Sequence, residues 1–291
     1  MNLSICPYER QQHDAVLDLL FYARRQHTHL DWYRASSFLD LPDSLIMTAW
    51  EGNILVGVMG VSAPLSGTTW VRVLAVDNAV DAQPVLDSLW NALREQCIAL
   101  NIHVVGFLVI NHWVLNHLPL LNFKYDEDVV TLGRVGDQLP VIKAHPFTIQ
   151  NAYLDVLPEL IAIDHSAFAA PWQMSRDEIR HSQRQAASCT VVLLDGRIIG
   201  YQVSTRHQNT AHLARLAIHP EFQGRGAGAV LLHDLIRGLL RRNVRSITLN
   251  TQRSNEQSHQ LYSRFNFRPN GYDLPVWFWK RSTELRVPRT E

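Results

Sequence analysis

The pattern of apolar and polar residues is most regular in the second half of the chain. Apolar runs at 190–194 and 198–206 flank a turn at Gly196 and predict a β-hairpin. Leucines recur at helical spacing over 229–242, which predicts a helix with one apolar face. Strands and helices alternate along this half, and that order predicts an α/β layer.

Shorter runs complete the second half. They predict a first strand at 147–150, helices at 153–164 and 175–184, and a further strand at 246–250. A later helix that starts near 254 and a last strand at 273–279 follow. Ser254 and Gln257 form a capping-box pattern, which places the start of the later helix. The last strand is expected to complete the sheet of this half.

The chain also repeats itself. Three segments of the first half resemble three of the second: 50–57 and 194–200, 69–76 and 211–218, and 119–123 and 263–267. A constant offset of 142 to 144 residues indicates a duplicated domain rather than a short solenoid repeat. The join is predicted near 133–140, where Gly and Pro interrupt the pattern.

Composition narrows the classes of function. The 291 residues suffice for two domains, each with its own core. The formal net charge is +0, so no bulk attraction to nucleic acid or to an anionic membrane is indicated. Three scattered cysteines lack disulfide or zinc spacing, which favours a reducing compartment without a metal site. Without a leader pattern or a membrane-length apolar run, a soluble cytoplasmic protein is expected.

A glycine-rich loop precedes the predicted helix. Gly224, Gly226 and Gly228 let the main chain turn its N–H groups toward one anion, and the helix N-terminus adds partial positive charge. The spacing also fits a dinucleotide fingerprint, in which the glycines follow the strand at once and an acidic residue ends the next strand. Here His219 to Phe222 intervene and the next strand ends in Asn250. The loop therefore predicts a pyrophosphate site of another kind.

Two segments resemble the GNAT superfamily of acyl-CoA-dependent N-acyltransferases. Residues 223–228, Gln-Gly-Arg-Gly-Ala-Gly, resemble its motif A. Residues 255–267 resemble its motif B, Asn-x-x-Ala-x-x-Leu-Tyr followed by Gly-Phe. This chain departs from the motif at Ser258, where the family has Ala, and at Asn266, where it has Gly. Asn is the residue best able to replace Gly in the left-handed conformation past a helix end.

The resemblance implies an α/β fold class with two tandem GNAT-like domains, each a mixed twisted sheet flanked by helices. It also implies acetyl-CoA as the cofactor. The pantetheine arm would lie between two strands that splay apart at a bulge, hydrogen-bonded like an extra strand. Arg225 would reach a phosphate and Asn255 would bind the arm by its amide. The residues implied to bind the cofactor are Leu216, Ala217, Ile218, Gln223, Gly224, Arg225, Gly226, Ala227, Gly228, Asn255 and Tyr262.

The first half lacks this chemistry. Residues 80–85 stand opposite the glycine loop and contain a carboxylate, a proline and no glycine, so they cannot form the same anion site. Leu118 stands opposite Tyr262. We therefore expect a degenerate GNAT-like domain without a cofactor loop at 1–138 and an active N-acetyltransferase domain at 146–282.

Tyr262 and His212 are the predicted catalytic residues. When an amine attacks the thioester, a phenol near pKa 10 can protonate the leaving thiolate, and Tyr262 stands at the motif position for this role. His212 stands where some relatives carry a Glu base, and an imidazole suits base work near pH 7. The alternatives to His212 are a water chain and the carboxylates of Asp164, Asp177, Glu178 and Asp273.

The predicted function is transfer of an acetyl group from acetyl-CoA to a primary amine of a small molecule or peptide, by direct attack. Residues 168–172 resemble the Phe-x-x-Pro-Trp stretch of ribosomal-protein N-terminal acetyltransferases, but those carry Glu where this chain has Asn250. The alternatives are a non-catalytic acyl-CoA-binding sensor or interaction module and a nucleotide-cofactor oxidoreductase. No nucleic-acid or membrane partner is expected, and a homodimer is compatible with the sequence.

Overall fold

The computed structural model describes residues 2–281, which divide into two compact units. The first unit holds the described residues up to Asp126 and from Pro275 onward, and the second comprises Glu127–Leu274. Each unit contains both parallel and antiparallel strand pairs and has its own buried clusters. No helix within residues 2–281 is long and apolar enough to cross a membrane.

The first unit opens with strands and helices that alternate along the chain. They are β1 Leu3–Pro7, α1 His13–Tyr22, β2 Arg25–Thr28, α2 Ala35–Leu39, β3 Leu45–Glu51, β4 Ile54–Val61, β5 Thr68–Val76, α3 Ala82–Ala99 and β6 Val104–Leu108. The strand order is β1-β3-β4-β5-β6, and β2 pairs with β5. Leu86, Leu89 and Leu93 of α3 are fully buried in the main core of this unit.

The second unit follows the same plan. Its elements are β7 Lys124–Val135, β8 Thr148–Asn151, α4 Leu157–Ala167, α5 Arg176–Gln185, β9 Ser188–Leu194, β10 Arg197–His207, β11 Thr210–Ile218, α6 Ala227–Leu240, β12 Ser246–Gln252, α7 Glu256–Arg264 and β13 Arg268–Pro269. The strand order is β7-β12-β11-β10-β9-β8, with β13 on β7. Leucines of α6, including Leu232 and Leu235, pack with Ile247 and Leu249 of β12.

Most predicted elements are found near their expected limits, including the β9–β10 hairpin and helix α6. Helix α4 begins at Leu157 rather than at 153, after a short 3-10 turn over Leu154–Val156. Pro158 lies in its first turn, where the missing N–H costs no helical hydrogen bond. The duplication extends to the backbone, since Asn122 and Asn266 occupy matching positions with φ of 62° and 63°.

The last strand, β14 at Leu274–Lys280, belongs to the first unit. It pairs antiparallel with β6, from Val276 opposite Leu108 onward, and Trp279 packs edge-on against Trp90 at a centroid distance of 5.6 Å. The compact units thus group residues from Pro275 with the first unit, whereas the sequence pattern assigns this strand to the second half. The rings of β14 fill the core around α3, which an apolar run alone does not reveal.

The compact units differ from the predicted domain limits of 1–138 and 146–282 in two places. The boundary falls after Asp126, because β7 pairs along seven residues with β12 of the second unit. The residues from Pro275 return to the first unit. The predicted end at Ser282 lies outside the described residues.

Candidate active site

The turn between β11 and α6 forms a cradle of main-chain N–H groups. Gly224 and Gly226 have φ of 74° and 92°, in the left-handed region that strains residues with a Cβ. Gly226 is the N-cap of α6, and the next three N–H groups lie in the first turn, where a helix offers no acceptor. A Cβ added to either glycine would meet nothing within 4 Å. These donors therefore border open space that an anion can occupy.

A cavity of about 460 Å³ lies beside this cradle, lined by β11, the glycine loop, the first turn of α6 and one face of α7. The predicted cofactor residues that line it are Leu216, Ala217, Ile218, Gln223, Gly224, Gly226, Ala227, Gly228 and Asn255. Arg225 and Tyr262 do not line it. No carboxylate is among the described residues that line the cavity, so its chemistry fits an anionic cofactor such as acyl-CoA.

Strands β11 and β12 separate next to the cavity. They pair in parallel from Thr210 to Leu213, and their described pairing ends there. A bulge at Ala214 shifts the register between β11 and β10 at the same place. Beyond the bulge, residues 216–218 pair with β10 on one side and line the cavity on the other. This is the separation at a bulge that the sequence resemblance implies.

The N-cap of helix α7 lies one residue later than predicted. Asn255 is the N-cap, and its Oδ1 accepts a hydrogen bond from Ser258 N at 3.1 Å. The predicted capping box of Ser254 and Gln257 is wrong because the first helical residue is Glu256. Asn255 also lines the cavity, and capping uses only its oxygen, so its two amide N–H donors remain for a ligand.

Tyr262 lies on the inner side of α7, with 6% of its surface exposed. Its ring meets Phe267 edge-on at 5.8 Å within the main core of the second unit. Burial raises the pKa of Tyr262 to about 12, against the opposing effect of a hydrogen bond with Ser258. Ser258 lines the cavity, one helical turn before Tyr262. The phenol is therefore a poorer acid than a free tyrosine and lies beside the cavity lining.

His212 lies in the part of β11 that still pairs with β12. Its Nδ1 is 2.9 Å from Oγ1 of Thr248, the residue opposite it in the parallel pair. His212 is half-buried and does not line the cavity. Neither of the two predicted catalytic residues lines the cavity: His212 lies on the paired part of β11, and Tyr262 lies on the inner side of α7.

The loop residues with side chains have local partners. Gln223 Nε2 donates to the Ile218 carbonyl oxygen at 3.0 Å, which ties the glycine loop to the end of β11. The Arg225 guanidinium lies 5.3 Å from the centre of the Phe222 ring, on the loop itself. The Gln223 side chain therefore stabilises the shape of the loop. The Arg225 guanidinium lies over the Phe222 ring rather than in the cavity.

A buried network that sequence reasoning missed holds the segment next to the cavity. Asp164 is fully buried and accepts hydrogen bonds from Tyr201 Oη at 2.6 Å and from Arg215 Nε at 2.7 Å. Arg215 also donates to the Trp172 carbonyl oxygen at 2.7 Å. Its guanidinium lies 3.5 Å from the centre of the Phe168 ring, and Phe168 lines the cavity.

The sequence signal for this network is Arg215, which lies among the apolar residues of 213–218. A buried cation needs a counter-charge, but the sequence does not say which carboxylate supplies it. Asp164 lies 51 residues earlier, and a local pattern cannot select it. Burial, together with the adjacent Asp164 carboxylate, raises the pKa of Tyr201 well above its usual value. Asp164, a proposed alternative base, is thus occupied by structural hydrogen bonds.

The other alternative carboxylates also have structural partners. Glu178 completes a capping box with Ser175 at the start of α5. Asp273 pairs with Arg253 at 2.7 Å. Asp177 lies 3.5 Å from Arg180 on the exposed side of α5. None of these three lines the described cavity.

In the first unit, the edge of β5 that corresponds to the open edge of β11 is already paired with another strand. β5 pairs in parallel with β6 only from Thr68 to Trp70. Beyond that point β2 occupies the same edge, with His27 opposite Leu74, while β4 covers the other edge. Residues 73–76 match 215–218 in the internal repeat. A strand of this chain thus fills the position that corresponds to the open edge of β11.

The residues that follow β2 are fastened to β5 by charged groups. Arg72 donates to the Asp31 carboxylate at 2.5 Å and to the His29 carbonyl oxygen at 3.1 Å. His29 N donates back to the Arg72 carbonyl oxygen at 2.8 Å, and His29 Nε2 is 3.2 Å from Asp31 Oδ1. These contacts stabilise β2 in the strand gap of the first unit.

Comparisons with known proteins agree with this geometry. The sequence model of the Acetyltransferase (GNAT) family matches residues 157–267. The ribosomal protein bS18-alanine N-acetyltransferase of Salmonella typhimurium is 30% identical over 111 residues, 38% of this chain and 74% of the relative. The enzyme of the same name from Escherichia coli K12 is 27% identical over 120 residues, 41% of this chain and 80% of the relative.

The likeness in fold extends along nearly the whole chain. A tandem GNAT protein from the clavulanic acid biosynthesis pathway, solved without AcCoA, superposes with a TM-score of 0.67 at 15% identity. The match covers 96% of this chain and 98% of that one. Fold and site thus define a transferase with two tandem units of one architecture. The chain belongs to the GNAT acetyltransferase family. It is an acetyl-CoA-dependent N-acetyltransferase.

Proposed function

We propose that the second unit transfers the acetyl group of acetyl-CoA to a primary amine of a small molecule or peptide, by direct attack on the thioester. The observation that carries the proposal is the gap between β11 and β12, which opens at the Ala214 bulge directly beside the glycine cradle. An extended arm with a pyrophosphate at one end matches a strand edge that ends at a helix N-terminus.

The chain's own residues would hold such a cofactor through main-chain groups. The first turn of α6 and the loop at 223–226 would bind the pyrophosphate with N–H donors. Residues 216–218 would bind the arm as an added strand, and the Asn255 amide would donate to it from the facing helix. The bound cofactor supplies the activated acyl group, as a thioester.

Tyr262 is proposed to stabilise the leaving thiolate, and His212 is proposed to accept a proton from the acceptor amine. With a pKa of about 12, the Tyr262 phenol serves chiefly as a hydrogen-bond donor to the leaving thiolate. Complete proton transfer from this phenol to a thiolate whose thiol has an ordinary pKa, near 8.5, would be uphill by roughly 5 kcal/mol. His212, from its position before the bulge, would accept a proton from the acceptor's ammonium group, directly or through water, so that the neutral amine attacks the thioester.

The acceptor is proposed only as a class. The bacterial relatives are named for alanine acetylation on ribosomal protein bS18. This chain has the exposed Asn250 where the ribosomal-protein N-terminal acetyltransferases carry a Glu, so a carboxylate base at that place is not available. The unpaired thiols of Cys6, Cys97 and Cys189 support the cytoplasm as the proposed location.

The first unit is proposed to bind no acyl-CoA. β2 occupies the strand edge that the arm would need, and the Arg72–Asp31 ion pair helps to hold the following residues in place. The stretch at 80–85 lacks the glycines of the second unit, and Asp81 is the N-cap of α3, where an anion would otherwise bind. We therefore expect one cofactor site per chain.

The test is a panel of amines assayed for release of free CoA from acetyl-CoA, with peptides, polyamines, amino acids and aminoglycosides as acceptors. At least one class should raise CoA release above the rate of acetyl-CoA hydrolysis. Gly226→Val serves as the inactive control, since valine at φ of 92° distorts the cradle. Tight binding of acetyl-CoA with no amine-dependent release across the panel would contradict acyl transfer to these acceptors.

A further inference from the structure

A row of polar side chains lies on the face of β12 that points away from α6. Leu249 of β12 packs with α6 in the core. Because side chains alternate along a strand, Thr248, Asn250 and Gln252 lie on the other face. His212 lies there as well, since its Nδ1 is 2.9 Å from Thr248 Oγ1. This polar row runs from the proposed base, past the strand gap, to the end of β12.

Glu127 completes the polar row at its far end. Strand β7 pairs antiparallel with β12, and Val129 lies opposite Gln252. Glu127 precedes Val129 by two residues, so its side chain lies on the same face. Its Oε1 accepts a hydrogen bond from Gln252 Nε2 at 2.9 Å, and its Oε2 accepts one from Ser254 N at 3.0 Å. These two contacts fix the carboxylate in place, outside the cofactor cavity.

The charge of Glu127 is not balanced by the protein. Glu127 is half-buried, and no Lys, Arg or His within residues 2–281 forms an ion pair with it. Arg253 is nearby in the chain but pairs with Asp128 at 2.9 Å and with Asp273 at 2.7 Å. A carboxylate that is partly removed from water gains from a counter-charge, so Glu127 suits a cationic group of a bound molecule.

The spacing along β12 relates this carboxylate to the reaction. The described pairing of β12 with β11 ends before Asn250, which is thus the first residue of β12 beside the gap. In the proposed function the arm follows 216–218 back to the bulge, so the thioester and the reacting amine lie near Asn250. Gln252 lies two residues further, about 6.6 Å along the strand. A chain of four methylene groups between two amines spans a similar distance.

We propose that Glu127 binds a second ammonium group of the acceptor, so that the chain acetylates diamines in preference to monoamines. This inference rests on the proposed function and names the class of amine. An ionised carboxylate has about four lone-pair sites, and Gln252 and Ser254 use two of them, so an ammonium group can donate to the others. A strand that the sequence assigns to the first half thus supplies an acceptor-binding residue to the second unit.

The experiment compares two probe acceptors, 1,4-diaminobutane and n-butylamine, which differ only in the second amine. Values of kcat/KM with acetyl-CoA are measured for the full chain, Glu127→Gln and Glu127→Asp. The wild type should prefer the diamine about 10- to 100-fold, the range for one charge-assisted contact. Glu127→Gln should remove this preference and keep kcat/KM for n-butylamine within about 3-fold, since only the charge is lost. Glu127→Asp should keep part of the preference.

Asp128→Asn is the matched control, because it removes the neighbouring carboxylate, whose side chain lies on the opposite face of β7. It should keep the preference for the diamine. Equal losses for both probes in Glu127→Gln, with weaker acetyl-CoA binding, would overturn the inference and assign Glu127 to the start of α7. A wild type that acetylates other amines but does not prefer the diamine would also overturn it. If the wild type acetylates no amine of the panel, the proposed function itself fails.

Discussion

The contacts of the Asp164 carboxylate allow the loss of stability on its removal to be estimated. Its oxygens accept hydrogen bonds from Tyr201, from two nitrogens of Arg215 and from Met174 N, all between 2.6 and 2.9 Å. Asp164→Ala leaves the Arg215 side chain, only 14% exposed, without its counter-charge. It also leaves the fully buried Tyr201 hydroxyl without its acceptor.

The expected loss follows from these contacts. Removing one partner of a buried ion pair costs about 3–5 kcal/mol. We expect the lower end, about 3 kcal/mol, because Arg215 keeps its bond to the Trp172 carbonyl oxygen and its position over Phe168. Against a total stability of about 5–15 kcal/mol for a domain, this is a large fraction.

The assay is urea unfolding of the full chain, followed by circular dichroism. With a slope of about 2 kcal/mol per molar urea, the Asp164→Ala midpoint for the second unit should fall by about 1.5 M. Asp177→Ala is the matched control, because its pair with Arg180 lies on the surface with side chains 64% and 41% exposed. That variant should stay within about 0.5 kcal/mol of wild type.

A midpoint for Asp164→Ala no lower than that of Asp177→Ala would refute the reasoning. It would mean that Arg215 and Tyr201 find water or new partners at little cost. Because Arg215 packs on Phe168, which lines the cavity, the folded Asp164→Ala chain should also bind acetyl-CoA more weakly. Asp177→Ala should bind it normally.

Three further predictions concern the cradle, the chemistry and pH. Acetyl-CoA, but not NADH, should raise the melting temperature, and Gly226→Val should abolish the shift while Gly238→Ala, in open space on α6, keeps it. Tyr262→Phe should lower kcat about 10²- to 10⁴-fold and keep the affinity for acetyl-CoA, and full activity in this variant would contradict a catalytic role of Tyr262. His212→Ala should lose activity chiefly at neutral pH, and an unchanged pH profile in this variant would contradict a role of His212 as the base. Burial, with His29 and Arg72, lowers the pKa of His27 to about 3, so acid should destabilise the first unit. Between pH 6.5 and about 3, His27 is protonated only in the unfolded chain, so the free energy of unfolding falls by about 2.7 kcal/mol by pH 4.5. His27→Phe should flatten this fall in melting temperature, and an equally steep fall would contradict the assignment.

Local rules explain the parts that the sequence predicts well. The glycine loop, helix α6 and the left-handed Asn266 depend on neighbouring residues only, and all are found as expected. The internal repeat likewise needs no knowledge of the fold, and the backbone of Asn122 repeats that of Asn266.

Features that depend on distant partners could not be predicted in this way. The apolar run of β14 is compatible with the core of either unit, and only the fit of Trp279 beside Trp90 assigns it to the first. The place of β2 in the strand gap of the first unit depends on its pairing with β5, about 48 residues later. The pKa of Tyr262 reflects burial by Phe265 and Phe267, which motif spacing does not convey.

The central claim is that one acetyl-CoA site exists per chain and that it lies in the second unit. Titration of the full chain with acetyl-CoA in a calorimeter tests it most directly. We predict a stoichiometry of one, loss of binding in Gly226→Val, and unchanged binding in Asp81→Ala, which alters the corresponding helix start of the first unit. Two equivalent sites, or one site that survives Gly226→Val, would contradict the account.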